Sequence, residues 1–353
     1  MPRETDVDVA LNCPVPIAPA ESILLGHGSG GRMSGDLLRN IVLPALQNPV
    51  LERLDDQAIV EIGGARVAFT TDSFVVKPLF FRGGDIGTLA VNGTVNDLAM
   101  GGAAPLFLSL ALILEEGFPL DTLRRVMESI RVAAAIARVV VVTGDTKVVE
   151  KGSGDGLFVN TSGIGLVPPG VRLSADQARP GDRILLSGTI GDHGITILSQ
   201  REGIEFESAI ASDTAALHTL VADMLRESPG IRCLRDPTRG GLSSSLNEIA
   251  AHSGVGIELQ ESAIPIRDEV QGACEMLGLD PLYVANEGKL VAIVDPSAAG
   301  QVLDAMRQHP LGREAQMIGT VTEAHPGMVT MRTRFGTSRI VDLLSGDQLP
   351  RIC

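Results

Sequence analysis

Single aspartates recur beside glycine, serine and threonine along this 353-residue chain, and their settings suggest its chemistry. Asp56 follows Asp55 ahead of a strand-like run, Asp72 sits in Thr70-Thr71-Asp72-Ser73, and Asp97 follows Asn96. Asp145 opens Asp145-Thr146-Lys147 directly after the apolar run 139–142, and Asp236 opens Asp236-Pro237-Thr238-Arg239-Gly240-Gly241. Acids at strand ends beside glycine are where hard cations meet phosphates. Magnesium takes oxygen ligands and leaves room in its shell for substrate phosphates, so these acids suit Mg-nucleotide better than a calcium cage. One such aspartate is an ordinary turn or cap residue; the repetition in both halves of the chain is what points to a site. The cluster Gly26-His27-Gly28-Ser29-Gly30-Gly31 offers bare N–H groups that can close over phosphate. It matches G-x-G-x-x-G through Gly26, Gly28 and Gly31, but only Ile23-Leu24-Leu25 precedes it where a dinucleotide fold needs a strand. Arg32-Met33 stands where a P-loop needs Lys and Ser/Thr. Lys147 could neutralise a transferred phosphoryl group, and Glu287, in Asn286-Glu287-Gly288-Lys289, could be a positioned base. Cys353 ends the chain; its own α-carboxylate opposes thiolate formation and Arg351 favours it.

These residues need a scaffold of strands and helices to position them. Ser34 to Leu46, Ile86 to Met100 and a segment capped by Asp121 read as helices; Val67 to Phe74, Ser109 to Leu114, 139–142 and Leu157 to Val167 read as strands. Pro168-Pro169-Gly170 is the best linker. Beyond it, strands are expected at 183–186, 255–259, 290–294, 315–321, 328–332 and 339–343, with helices at 191–200, 242–252 and 297–308. The mixture lacks strict βαβ alternation, which gives an α+β class with two domains, 22–168 and 170–338. Residues 1–21 form an arm and 339–353 a mobile tail, long enough to carry its terminal thiol to a distant site.

Composition removes several function classes. Twenty-nine Lys and Arg against 43 Asp and Glu leave a net charge of −14, which argues against binding nucleic acid or an anionic membrane. Aromatics make up 3% with no Trp, too few for base stacking. No apolar run approaches a membrane span, no export signal opens the chain, and Cys13, Cys233, Cys274 and Cys353 form no CxxC or zinc spacing. The expectation is a cytoplasmic protein with free thiols.

Taken together, GHGSGG (26–31), TDSFVVKPLFF (71–81), GGDIG (83–87), AVNGTVNDLAM (90–100), GDTKVVEKG (144–152), DPTRGGL (236–242), NEGK (286–289) and the terminal PRIC (350–353) resemble the HypE family of hydrogenase maturation factors. That family is similar in turn to the PurM-like, or AIR synthetase, superfamily. The resemblance covers about residues 22–353 and implies a PurM-like two-domain architecture, Mg-ATP bound between the domains and a homodimer formed through N-terminal sheets. It implies that a carbamoyltransferase, HypF, loads a carboxamide on Cys353, that ATP-dependent dehydration yields a thiocyanate, and that a HypC–HypD scaffold receives the cyanide for [NiFe]-hydrogenase. By motif, it makes Asp56, Asp72, Asp97, Asp145 and Asp236 the Mg-ATP acids, with Asn96, Thr146 and the loop residues Gly28, Ser29, Gly30 and Gly31 also at the nucleotide. Lys147 and Glu287 would orient and deprotonate the carboxamide, with Asp97 beside them. Arg82 and Gly101-Gly102 depart from the family pattern away from this chemistry. Two other functions stay open. A small-molecule kinase or synthetase, such as one like selenophosphate synthetase, would not need Cys353; a nucleotide-gated docking protein would bind ATP without changing the thiol.

Overall fold

The computed structural model of the chain describes residues 22–204, 210–344, 346 and 352–353. The arm 1–21, with Cys13, and Arg351 lie outside the described residues. A short helical segment, α1 (Arg32–Leu37) and α2 (Leu43–Leu46) joined through a π turn, precedes the first sheet. That sheet contains β1 (Ala58–Ile62), β2 (Ala65–Phe74), β5 (Ala104–Glu115), β6 (Val140–Val149) and β7 (Leu157–Leu166) in the order β1-β2-β7-β5-β6. The small pair β3 (Phe80–Phe81) and β4 (Gly84–Asp85) leads into α3 (Ile86–Met100). All pairings in the large sheet are antiparallel except β5 with β6, which are joined through α4 (Leu120–Ala137).

Strand alternation sorts the sheet's faces. Ala68, Thr70, Phe74 and Thr161 point inward, where α3, apolar and buried almost all round, packs on β2 and β7. Phe69, Phe107, Ile113 and Ile164 point the other way and are each more than 40% exposed. Asp85 caps α3 by accepting from the N–H groups of Gly87 and Thr88, which is why this helix begins where the sequence indicates. Asp121 lies in the first turn of α4 rather than at its cap, which is Pro119.

The second sheet has the order β14-β13-β10-β12-β8-β11-β9. Its strands are β8 (Arg183–Leu186), β9 (Ile231–Arg235), β10 (Gly256–Gln260), β11 (Val291–Val294), β12 (Gln316–Thr322), β13 (Val329–Arg332) and β14 (Ser338–Ile340). One face packs α7 (Gly241–Ser253), and the other packs α6 (His218–Glu227) and α9 (Ala299–Gln308). The central strands are buried on both faces, so they read as continuous apolar runs. β14 and the buried Val341, whose N–H donates to Val329, keep the chain in this sheet past position 339, where the sequence suggested the tail starts. Helices α5 (Asp192–Glu202) and α8 (Asp268–Leu277) put Ile195, Ile197, Val270 and Cys274 into a core shared with Phe74, Phe81 and Leu89 of the first domain. The two domains therefore meet over buried apolar surface, and the cleft beside that surface holds the acids. Among the described residues, no helix is long and apolar enough to cross a membrane.

Candidate active site

A cavity of about 580 Å³ opens between the domains. Asp56, Asp72 and Asp97 enter from the first domain and Asp236 and Glu287 from the second, with Arg235, Arg239 and Cys353 among them. Asp72 lies on the inward face of β2 near Gly93 of α3, and Asp97, one turn further along α3, accepts a 2.7 Å hydrogen bond from the Thr70 hydroxyl. Arg235, at the end of β9, crosses the domain boundary to the Asp56 carboxylate and donates to the Leu54 carbonyl at 2.8 Å. The glycine loop forms one wall through Gly30 and Gly31. Gly30 has φ +76°, and a Cβ there would stand 2.7 Å from the Arg239 carbonyl oxygen, so only glycine lets the two loops touch. Arg239 donates at 3.0 Å to the Gly28 carbonyl, and the Ser29 hydroxyl bonds its own loop at Gly26, turning away from the cavity.

Burial raises the proton affinity of these acids, and for Asp97, Asp236 and Glu287 neighbouring carboxylates add to the rise. Burial, then the charges of Asp236, Asp72 and Asp56, push Asp97 well above the ordinary carboxylate range. Burial and the nearby Asp56 push Asp236 up to about 8. Asp56 and Asp72 are raised by burial, with Arg235 and Arg239 respectively pulling against it. Glu287, only 3% exposed, is raised well above its usual range by burial and then by Asp72, Asp236 and Asp213. These groups bind protons more tightly folded than unfolded. Their stabilising contribution is full below the unfolded carboxylate pKa, near ~4, and is lost as pH rises through the raised values, to about 8 for Asp236. Asp236→Asn is therefore expected to stabilise the nucleotide-free protein by about 1–3 kcal/mol near pH 8. The gain should vanish toward pH 5 in denaturant unfolding, and a pH-independent difference would contradict this origin.

This all-oxygen donor set fits a divalent cation, whose charge would offset the repulsion that Asp97, Asp236 and Glu287 feel from neighbouring acids. Among the described residues no three His, Cys, Asp or Glu side chains stand close enough to hold an ion by themselves.

Three of the residues indicated by sequence lie elsewhere. Asp145, Thr146 and Lys147 are within β6, where the Asp145–Lys147 ion pair (2.9 Å) is exposed. Asp145 is thus mid-strand and not at a strand end. Register pairs Ala111 with Asp145 and Ile113 with Lys147, so both charged side chains share the outward face with Ile113. The acids enter the cavity from the α3 side of the same sheet, and Lys147 does not line it. Asn96 is a correction of another kind. Its Nδ2 donates to the Ala215 carbonyl at 3.0 Å and its Oδ1 accepts from the Leu217 N–H at 2.8 Å, so it clamps a loop of the second domain and does not line the cavity. That loop in turn holds Glu287: the Asp213 carboxylate accepts from the Glu287 N–H and from Lys289 Nζ, each at 3.0 Å. Arg239 is the cation that the sequence reading passed over, although its place inside Asp236-Pro237-Thr238-Arg239-Gly240-Gly241 was the available signal.

The tail ends in the cavity. The Cys353 carbonyl accepts from the Val75 N–H at 2.9 Å, and Ile352 is buried in the shared core. Burial pushes the Cys353 thiol up to about 12, with Arg239 pulling it down and Glu287 and Asp72 adding to the rise. In this position the thiol is a poor nucleophile.

Residues 54–167 match the N-terminal domain of AIR synthase related proteins, and residues 179–331 match the C-terminal domain. The carbamoyl dehydratase HypE of Azotobacter vinelandii is 61% identical over 94% of this chain and 97% of its own length. A crystal structure of a HypE–HypF complex has a TM-score of 0.84 at 47% identity, covering 87% of this chain and 99% of that one. A structure of HypE in complex with ATP has a TM-score of 0.80 at 48% identity, covering 94% of this chain and 100% of that one.

Proposed function

Because the chain belongs to the HypE family of carbamoyl dehydratases, built on the AIR synthase related fold, we propose that it dehydrates a carboxamide carried on its own Cys353 to a thiocyanate, using ATP. The observation that carries this proposal is the position of Cys353, inside the acid-lined cavity and beside Glu287 and Arg239. A small-molecule kinase would have no use for a terminal thiol there.

The atoms balance as S–C(=O)NH₂ plus ATP giving S–C≡N plus ADP and phosphate. ATP supplies the phosphoryl group that turns the amide oxygen into a leaving group, and magnesium would offset the charge that builds on the phosphates. Asp72, Asp97 and Asp236 would contribute to holding the cation together with water and the nucleotide phosphates, with Asp56 sharing its carboxylate with Arg235. Asp97 acts there as a cation ligand beside the reacting atoms, and the glycine loop closes over the phosphates. Arg239 faces the departing phosphate. Glu287 takes a proton from the carboxamide nitrogen as the C–O bond breaks and the C≡N bond forms.

Lys147 enters from a second copy of the chain. The uncovered sheet face carries Phe69, Phe107, Ile113 and Ile164 together with Asp145 and Lys147, and an apolar face of this kind suits an isologous homodimer. In such a dimer Asp145, Thr146 and Lys147 would serve the site of the other protomer. Loading requires the tail to leave the cavity, because the docked thiol is half-buried and pushed up to about 12. A relative's complex with HypF supports that carbamoyltransferase as the loading partner, and a HypC–HypD scaffold as the recipient completes the maturation role in [NiFe]-hydrogenase assembly. Cys353→Ala is expected to accept no carboxamide from the carbamoyltransferase and to lose all coupled ATP cleavage, measured by intact mass and phosphate release. Full ATP turnover on a soluble substrate by this variant would support a kinase instead.

A further inference from the structure

His193 is fully buried in the first turn of α5, edge-on to Phe81 with ring centroids 5.6 Å apart. Its Nε2 lies 2.6 Å from the Ile352 carbonyl oxygen and its Nδ1 lies 2.8 Å from the Ser212 hydroxyl. A carbonyl can only accept, so Nε2 carries the proton; the neutral ring then accepts at Nδ1 from Ser212. Ser212 Oγ also accepts from the Thr214 N–H at 3.2 Å, which fixes the hydroxyl's direction. Ser212 precedes Asp213, whose carboxylate holds the Glu287 N–H, so one short loop orients both the histidine and the base. Ile352 is buried in the apolar cluster that residues of both domains form, with Phe74, Phe81 and Ile195 among its members.

We propose that His193, oriented by Ser212, is the latch that recognises the docked tail through the Ile352 carbonyl and so sets how long the Cys353 sulfur stays at Glu287. His193 touches neither nucleotide nor reacting atoms; it is a positioning residue. A main-chain carbonyl is the same whatever group the sulfur carries, so the latch grips the bare, carbamoylated and cyanated tail alike. Discrimination between these states is left to the cavity. The link to catalysis rests on the dehydratase function proposed above, but the latch itself does not.

The test is the alkylation rate of Cys353 by iodoacetamide in the full-length protein, followed by peptide mass mapping, without nucleotide. Loss of one buried neutral hydrogen bond predicts about tenfold faster labelling of Cys353 in His193→Ala. Cys233 and Cys274, both buried, should stay protected. His193→Gln, whose amide can donate to the same carbonyl, should restore slow labelling, and Ser212→Ala should give an intermediate rate. If His193→Ala also exposes Cys233 and Cys274, Ser212→Ala decides. A wild-type rate in the deciding variant, or failure of glutamine to restore protection, overturns the latch. In single turnover, the unlatched variant should dehydrate its carboxamide about tenfold more slowly while accepting it from the carbamoyltransferase at least as fast as the parent. A merely structural role would slow both steps. If labelling behaves as expected and no variant, wild type included, dehydrates the carboxamide, the latch stands and the dehydratase function fails.

Discussion

Glu287→Gln is expected to slow dehydration of the carboxamide on Cys353 by about 10³-fold while leaving its loading intact. The substitution keeps the side chain's size and its burial but removes the basic oxygen. The Glu287 N–H still donates to Asp213, so the surrounding loop should hold its shape. Carbamoylated protein should accumulate in the presence of Mg-ATP, and intact mass against time measures the rate. The parent's pH profile carries a second signature. Glu287 must be ionised to accept a proton, and burial with Asp72, Asp236 and Asp213 holds its pKa well above the usual carboxylate range. The rate should therefore begin to fall, as pH is lowered, at a higher pH than an ordinary glutamate would set. A cation on Asp72 and Asp236 would cancel much of that repulsion, so raising magnesium should move the acid limb to lower pH. An acid limb no higher than the ordinary glutamate range, near ~4.3, would remove Glu287 from the role of base.

The second large effect concerns Lys147. Lys147→Ala and Glu287→Gln are each expected to lose at least about 10²-fold in dehydration when tested separately. If Lys147 serves the site of a second copy, mixing the two variants and allowing subunit exchange rebuilds one complete site in each heterodimer. Random exchange gives about a quarter of the wild-type sites. The product should appear only on chains carrying Lys147→Ala, since those retain Glu287 next to their own Cys353, and the two chains differ in mass. No recovery after verified exchange would place Lys147 outside the chemistry or within its own protomer's site.

The outward placement of Asp145 and Lys147 was hidden in the sequence by the character of β6. Almost every residue from Val140 to Val149 is exposed, so neither the apolar run nor alternation marks the strand beyond Val142, and Thr143-Gly144-Asp145 imitates a turn. A resemblance of motifs can say that Lys147 matters, but only the pleat says on which face it lies. Helix α3 was legible to the residue because an Asp85 cap, a near-continuous apolar run and a closing Gly101-Gly102 all agree. The same helix explains why Asn96 was misassigned: neighbours on a helix point about 100° apart, so Asp97 faces the cavity and Asn96 faces the second domain. Asp72, Asp97, Asp236, Glu287 and Cys353, spread over 282 positions of the chain (353 − 71), converge as the motifs implied. His193 was not legible, because its importance comes from a contact with the tail that no local pattern encodes.

Intact mass spectrometry of the carbamoylated protein incubated with Mg-ATP tests the dehydratase function most directly. Loss of the mass of one water, confined to the peptide ending in Cys353 and accompanied by release of phosphate, is the expected result. A carboxamide that survives unchanged while ATP is hydrolysed would contradict it.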